Sequence, residues 1–408
     1  MQPRWRGLAA LTLARASMGF QFQSIAAVGP LISADLGLHK AQLGWLIGLY
    51  LLPGVAFALP GGLLGRRFGD KRLVLVGLAL MVLGAAGLAL AESFAAANAA
   101  RFTSGIGAVM LNVLMTKMVA DTFESRERVL AMSILINAWP IGIGLALLVI
   151  GPLGQLAGWP WGIASSALLA AIGLILVRAI YRAPSTGVQS SAAGLGLAVL
   201  SRREWQLLAI GSLPWLLYNA AFQIEISFLP SFLVEGGLTV AEAGGVVAAS
   251  AVIFIVSVQA GGLVLERARR PDLVCHLAIV GWCVTLLLLA ARQSPLLWIV
   301  VGGLAGGLPA AAFVSLPAEF LRAESRSAGM GVFYTIYYGG CAVLPALAGR
   351  LYDLSGGRAA LGMAAGLALL CAPLLWAFRR AMAASPVGGD ALGRRGDEGG
   401  PRPTSAPN

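Results

Sequence analysis

Gly61-Gly62-Leu63-Leu64-Gly65-Arg66-Arg67-Phe68-Gly69-Asp70-Lys71-Arg72 is a glycine-rich, strongly basic segment between two long apolar runs. A related segment, Gly261-Gly262-Leu263-Val264-Leu265-Glu266-Arg267-Ala268-Arg269-Arg270, recurs in the second half of the chain. The recurrence divides the chain into two related halves. The positive charge fixes the side of a membrane on which both segments lie, because basic residues collect in cytoplasmic connections.

The wider composition agrees. Of 408 residues, 58% are hydrophobic and 12% charged, whereas a soluble domain carries about 25% charged residues. Apolar runs of the length that crosses a bilayer as a helix recur along the chain, in place of the short alternating strands of a membrane β-barrel. The reading is an all-α membrane protein, and its 53 glycines suit close helix packing. The net charge of +11 is assigned to membrane orientation and contact with lipid, with no nucleic-acid partner. Cys275, Cys283, Cys341 and Cys371 lack metal-ligand spacing, so they read as small core residues, with no metal and no cofactor expected. The first apolar run carries no cleavable-signal pattern and reads as a mature span.

Twelve transmembrane helices are predicted, at about 8–32, 41–64, 73–92, 96–119, 129–153, 159–180, 205–233, 239–264, 273–291, 295–319, 328–350 and 359–379. They form two pseudo-symmetric six-helix bundles, residues 1–180 and 204–382. A cytoplasmic linker spans 181–203, and a Gly/Pro-rich tail over 383–408 reads as disordered. Placing both termini in the cytoplasm leaves only Lys40, Arg292, Arg350 and Arg358 in the outer connections. Further matches reinforce the repeat: Ala41-Gln42-Leu43-Gly44 with Ala241-Glu242-Ala243-Gly244, Glu124-Ser125-Arg126 with Glu324-Ser325-Arg326, and Phe20-Gln21-Phe22-Gln23 with Phe222-Gln223-Ile224-Glu225. Two six-helix repeats related along the membrane normal are a transporter plan, with the substrate held near the midplane between them.

On these residues the chain resembles the major facilitator superfamily over roughly residues 1–380. Gly62, Arg67, Gly69, Lys71 and Arg72 fit that family's signature between the second and third helices, while Arg66 stands where the signature has an acid. Arg101 with Gly105 and Gly107 is similar to its fourth-helix motif. The first four helices resemble bacterial cyanate or nitroimidazole permease-like proteins. The resemblance implies alternating access, with the acid of the signature steadying a helix end of the opposite half. A carboxylate is favourable near a helix N-terminus. Arg66 cannot supply one, but Glu266 beside Arg267 in the second copy can. The expected latch therefore joins Glu266 to the start of the fifth helix near Val129, unless both segments are only positive-inside anchors.

Charges within spans need a partner, water or a function. Arg15 shares a helical face with Phe22 and Gln23, and either binds an anion or snorkels to the headgroups. Glu225 lies near Trp215, Tyr218, Asn219 and Phe222 on the seventh helix. A carboxylate in a partly dry site can exchange a proton near neutral pH, so Glu225 is the candidate for proton coupling or for the counter-charge to Arg15, against the alternative of a residue at the outer mouth in water. Asn112, Tyr334 and Tyr338 are candidate lining, or else packing residues. Gly62, Arg66, Arg67, Gly69, Arg72, Arg101, Glu266 and Arg267 are candidate gating positions. Lys117 and Glu319 read as gate or snorkelling charges. The expected protein is a monomeric secondary transporter of the bacterial inner membrane, moving a small organic or inorganic anion, and not an enzyme. The alternatives are a proton-driven exporter of amphipathic compounds and a sensor that keeps the fold without transport.

Overall fold

The computed structural model describes residues 2–57, 68–123, 125–182, 197–291, 295–322 and 324–384, and their regular elements are all helical. The first crossing consists of α1 (Pro3–Ala27) and α2 (Gly29–Leu36), which part at Val28. The second consists of α3 (Lys40–Leu49) and α4 (Pro53–Phe57); a proline has no N–H to continue the helix before it. The first half continues with α5 (Asp70–Ala89), α6 (Phe94–Thr122), α7 (Ser125–Ala157) and α8 (Trp159–Ile180). The second half holds α9 (Arg202–Glu235), α10 (Val240–Arg267), α11 (Pro271–Ala290), α12 (Pro295–Gly307) continued by α13 (Ala310–Ser315), α14 (Arg326–Ser355) and α15 (Gly357–Ala383).

Among the described residues, eleven helical segments are long and apolar enough to span a membrane. The remaining one, α1 with α2, is less apolar because Arg15, Ser17, Gln21, Gln23 and Ser24 lie in it, all buried. The 25 residues of α1 extend about 37 Å at 1.5 Å per residue. Large apolar side chains such as Leu83, Leu156, Trp161, Leu168, Ile175 and Leu277 point outward and are exposed. That surface suits lipid, and helices suit it because they satisfy their backbone groups internally.

Within the first half α5 packs on α6 and α8, and α1 packs on α7 and α8. In the second half α9 packs on α14 and α15, and α11 on α12 and α15. The halves meet along two seams, α3 against α14 and α7 against α10, with α1 touching α9 between them. The first seam is unusually close. Gly44 and Gly48 of α3 lie against the carbonyls of Pro345 and Ala342, and a β-carbon at either would occupy the space of the carbonyl oxygen. Successive antiparallel helices put Pro3, Tyr181, Arg202 and Ala383 at one end of the molecule, the terminal end. Leu36, Lys40, Glu235 and Asp353 lie at the distal end.

Of the segments read from sequence, Gly62, Arg66 and Arg67 lie outside the described residues, as do 183–196 of the linker and 385–408 of the tail. Gly69 is described. Its φ of +86° is a left-handed value that glycine tolerates best, and it turns the chain into α5.

Candidate functional site

The middle of the interface is where α1, α6 and α14 converge. Arg15 lies about 18 Å along α1 from its first residue. It is 9% exposed, and its Nε and Nη1 are buried with no hydrogen-bond partner among the described residues. The titratable groups whose fields reach it are the phenols of Tyr334, Tyr337 and Tyr338 on α14, with no carboxylate among them. Asn112 of α6 donates from Nδ2 to the Tyr338 hydroxyl at 2.7 Å, across the two halves. The Tyr338 proton is thereby left for a further acceptor. The three tyrosines contact one another, with Tyr337 and Tyr338 at 5.0 Å between ring centroids. Trp215 of α9 lies 6.1 Å from Tyr337, and its indole Nε1 has no partner among the described residues.

Other predicted residues serve different neighbours. Phe22 packs on Trp139 at 5.2 Å and on Tyr50 at 5.9 Å. Gln23 donates across the halves to the Ile226 carbonyl at 2.8 Å, leaving its Oε1 unpartnered. Tyr218 points into the second half and donates to the Gly306 carbonyl at 2.8 Å. Asn219 donates to the Trp215 carbonyl one turn back. Phe222 stacks on Phe254 at 4.1 Å. Glu225 is 4% exposed and accepts from the Trp282 indole at 3.0 Å. It forms no ion pair among the described residues and faces its own half, so it is not the counter-charge to Arg15. By contacts its counterpart is therefore Gln21, which donates to the Met81 carbonyl at 2.9 Å: each reaches from the first helix of its half to the third.

Arg101 is fully buried, and each of its three guanidinium nitrogens donates to a backbone carbonyl. Nε bonds the Leu46 carbonyl at 3.0 Å, and Nη1 and Nη2 bond those of Gln21 and Phe22 at 2.7 Å. It ties α1, α3 and α6 together. Arg72, Glu266 and Arg267 are exposed, and Glu266 makes no ion pair among the described residues. Val129, the expected neighbour of Glu266, has its side chain outside them. Lys117 pairs with Asp70 at 2.6 Å, and Glu319 pairs with Arg379, which also holds Asp272. No cluster of three or more His, Cys, Asp or Glu suited to a metal occurs among the described residues. An apolar groove on α15, lined by Met363, Gly366, Leu370 and Pro373, is away from Arg15 and open to the lipid-facing side.

Trp139 and Trp282 were not singled out from the sequence, since an apolar run gives no sign of which rings meet. Asp353 was also missed, although a signal existed: Gln42 replaces the acid that its repeat partner Glu242 supplies at a helix start.

Residues 11–301 match the Major Facilitator Superfamily. The 3-(3-hydroxy-phenyl)propionate transporter of Escherichia coli K12 is 28% identical over 90% of this chain and 91% of its own. The hexuronate transporter of Bacillus subtilis is 23% identical over 64% of each. A bacterial homologue of the human lysosomal transporter Spinster, solved in an inward-facing and occupied conformation, shares the fold with a TM-score of 0.75 at 16% identity. That match covers 95% of this chain and 100% of the other. A family match over most of the length, on a fold shared end to end with a solved transporter, means that this chain belongs to the Major Facilitator Superfamily and is a secondary transporter of small solutes.

Proposed function

We propose that the solute is a small organic carboxylate, preferably one with an aromatic ring, and that Arg15 anchors its charge. The observation that carries this is the buried, unpartnered Arg15 guanidinium among three phenols and no acid. An isolated buried charge costs several kcal/mol, and a carboxylate offsets that with two parallel hydrogen bonds. Tyr338, held by Asn112, offers a further donor beside it. The Tyr337 and Trp215 rings offer a face, and the free Gln23 Oε1 can accept from a ring hydroxyl. The two named relatives support the class, since their named solutes are both carboxylates. Likeness of the first four helices to cyanate or nitroimidazole permease-like proteins adds small inorganic anions to the solutes to be tried.

The distribution of arginines orients the chain with both termini in the cytoplasm of a bacterial inner-membrane protein, working as a monomer. The distal end is then the outer one, and its closure corresponds to an inward-facing state. Glu225, a buried carboxylate without a cation, is the group proposed to carry a proton.

Uptake by proteoliposomes tests both assignments. Wild-type protein is expected to accumulate 3-(3-hydroxyphenyl)propionate. Arg15→Ala should lower that uptake about 100-fold, the loss of a charged pair worth ~3 kcal/mol, while the protein stays folded; unchanged uptake would sink the anchor. Glu225→Gln should transport without responding to an imposed pH gradient. Gradient-driven accumulation that survives the change would remove Glu225 from coupling.

A further inference from the structure

We propose that Asp353 is the gating residue of the distal end, a carboxylate latch that one half inserts into a helix start of the other. Asp353 lies on α14 in the second half. Its two oxygens accept from the backbone N–H groups of Lys40 at 2.8 Å and Ala41 at 2.9 Å, the first residues of α3 in the first half. The first N–H groups of a helix have no partner inside it, and the helix dipole gives that end partial positive charge. An anion there makes charge-assisted bonds.

The neighbouring groups act in the same sense. The Lys40 ammonium lies 3.8 Å from Glu235 and 5.1 Å from the Tyr352 ring centre, both in the second half. Gly349 of α14 lies directly against the Lys40 carbonyl. Backbone, ammonium and helix start of α3 thus all meet the opposite half, and every one of these contacts must part for the distal end to open.

The internal repeat shows that a local cap was available. At the matching start of α10, the carboxylate is the helix's own: Glu242 accepts from the Thr239 N–H and hydroxyl, both at 2.8 Å. Among the described residues the opposite half contributes there only the neutral Gln155, at 3.3 Å from the Ala241 nitrogen. At α3 the equivalent residue is Gln42, whose uncharged Oε1 accepts from the His39 N–H. The negative charge for α3 comes instead from across the seam. A charge placed there rewards closure and not merely helix formation, so it biases the closed and open populations of the distal end.

The inference rests on the orientation proposed above, and its test separates the two. Ser231 is buried one turn before Glu235 and beside Gly29 of the opposite half. The full chain carrying Ser231→Cys is reconstituted in vesicles and labelled with an impermeant maleimide added from either face. The four native cysteines are buried and set the background. Asp353→Asn should raise the labelling rate from the outer face about 2- to 5-fold, the size of a charge–helix-terminus effect, and Asp353→Glu should stay near wild type. Adding Gln42→Glu to Asp353→Asn should recover thermal stability but not slow labelling, because it caps α3 without joining the halves. An unchanged rate with Asp353→Asn, or slow labelling restored by Gln42→Glu, would overturn the latch. Should Asp353→Asn yield no folded protein, Glu235→Gln is expected to raise the rate about 2-fold, and no rise would count equally against it. A rise seen only from the cytoplasmic face would refute the orientation and leave the latch standing.

Discussion

At the distal end Asp353 of the second half holds the backbone of α3 in the first. At the terminal end Glu204 of α9 holds Arg322 and Ser325 of its own half. The contrast is general among the described residues. Hydrogen bonds between halves gather at the distal end, with Asn112–Tyr338 near the middle of the molecule and Gln259–Asn137 on the terminal side of it. The ion pairs of the terminal end, Arg4–Glu127, Lys117–Asp70, Arg322–Glu204, Arg379–Asp272 and Arg379–Glu319, each stay within one half. Lys71 likewise ties α5 to the last carbonyls of α8, donating to Tyr181 at 2.6 Å. One end is fastened across the seam, while the other is braced half by half. Each half can therefore rock as a body without breaking its terminal-end bonds.

Substitutions at the two ends should fail in different ways. The largest effect is expected from Gly48→Leu at the α3–α14 crossing. Overpacking there costs ~1–3 kcal/mol or more, so the distal end should no longer close and uptake should fall at least about 10-fold. Normal uptake would mean that the crossing separates more easily than its backbone contact implies. Next is Glu204→Gln, which weakens the charge-assisted bonds of a buried carboxylate to Arg322 and Ser325; because Arg322 is half exposed, about 1–2 kcal/mol in thermal unfolding is expected. Maleimide labelling at Ser231→Cys should not change; if it does, the terminal end also governs the gate. The smallest effect belongs to Lys117→Ala. Its pair with Asp70 is partly exposed, with side chains 30% and 19% accessible, so about 1 kcal/mol or less is expected. A loss of transport out of proportion to that would assign the pair to the cycle.

Much of the architecture was legible beforehand. The repeat of the basic segment, the length of the apolar runs and the arginine distribution are one-dimensional quantities, and they give two bundles with short hairpins. Arg15 was legible as a charge in a span that needs a reason, though not the tyrosines that face it, because Arg15 and Tyr338 are separated by most of the chain. Glu225 illustrates the limit. Sequence matching paired it with Gln23, yet Gln23 reaches the other half and Glu225 turns inward to Trp282. A one- or two-residue slip along a helix rotates a side chain by 100° or 200°, enough to exchange an interface for a core.

The latch shows the same division. An acid at the start of one repeat and a glutamine at the other can be read directly from Glu242 and Gln42. Composition and spacing by themselves determined a membrane-spanning, twofold-repeated helical chain, because bilayer thickness and backbone hydrogen bonding leave few alternatives. Only the tertiary structure decided that the missing charge comes from Asp353, and that Arg101 spends its donors on carbonyls while Arg15 keeps two of its nitrogens free. Those outcomes depend on which backbone and side-chain atoms meet within about 3 Å across helices far apart in sequence, a distance that no periodicity along the chain encodes.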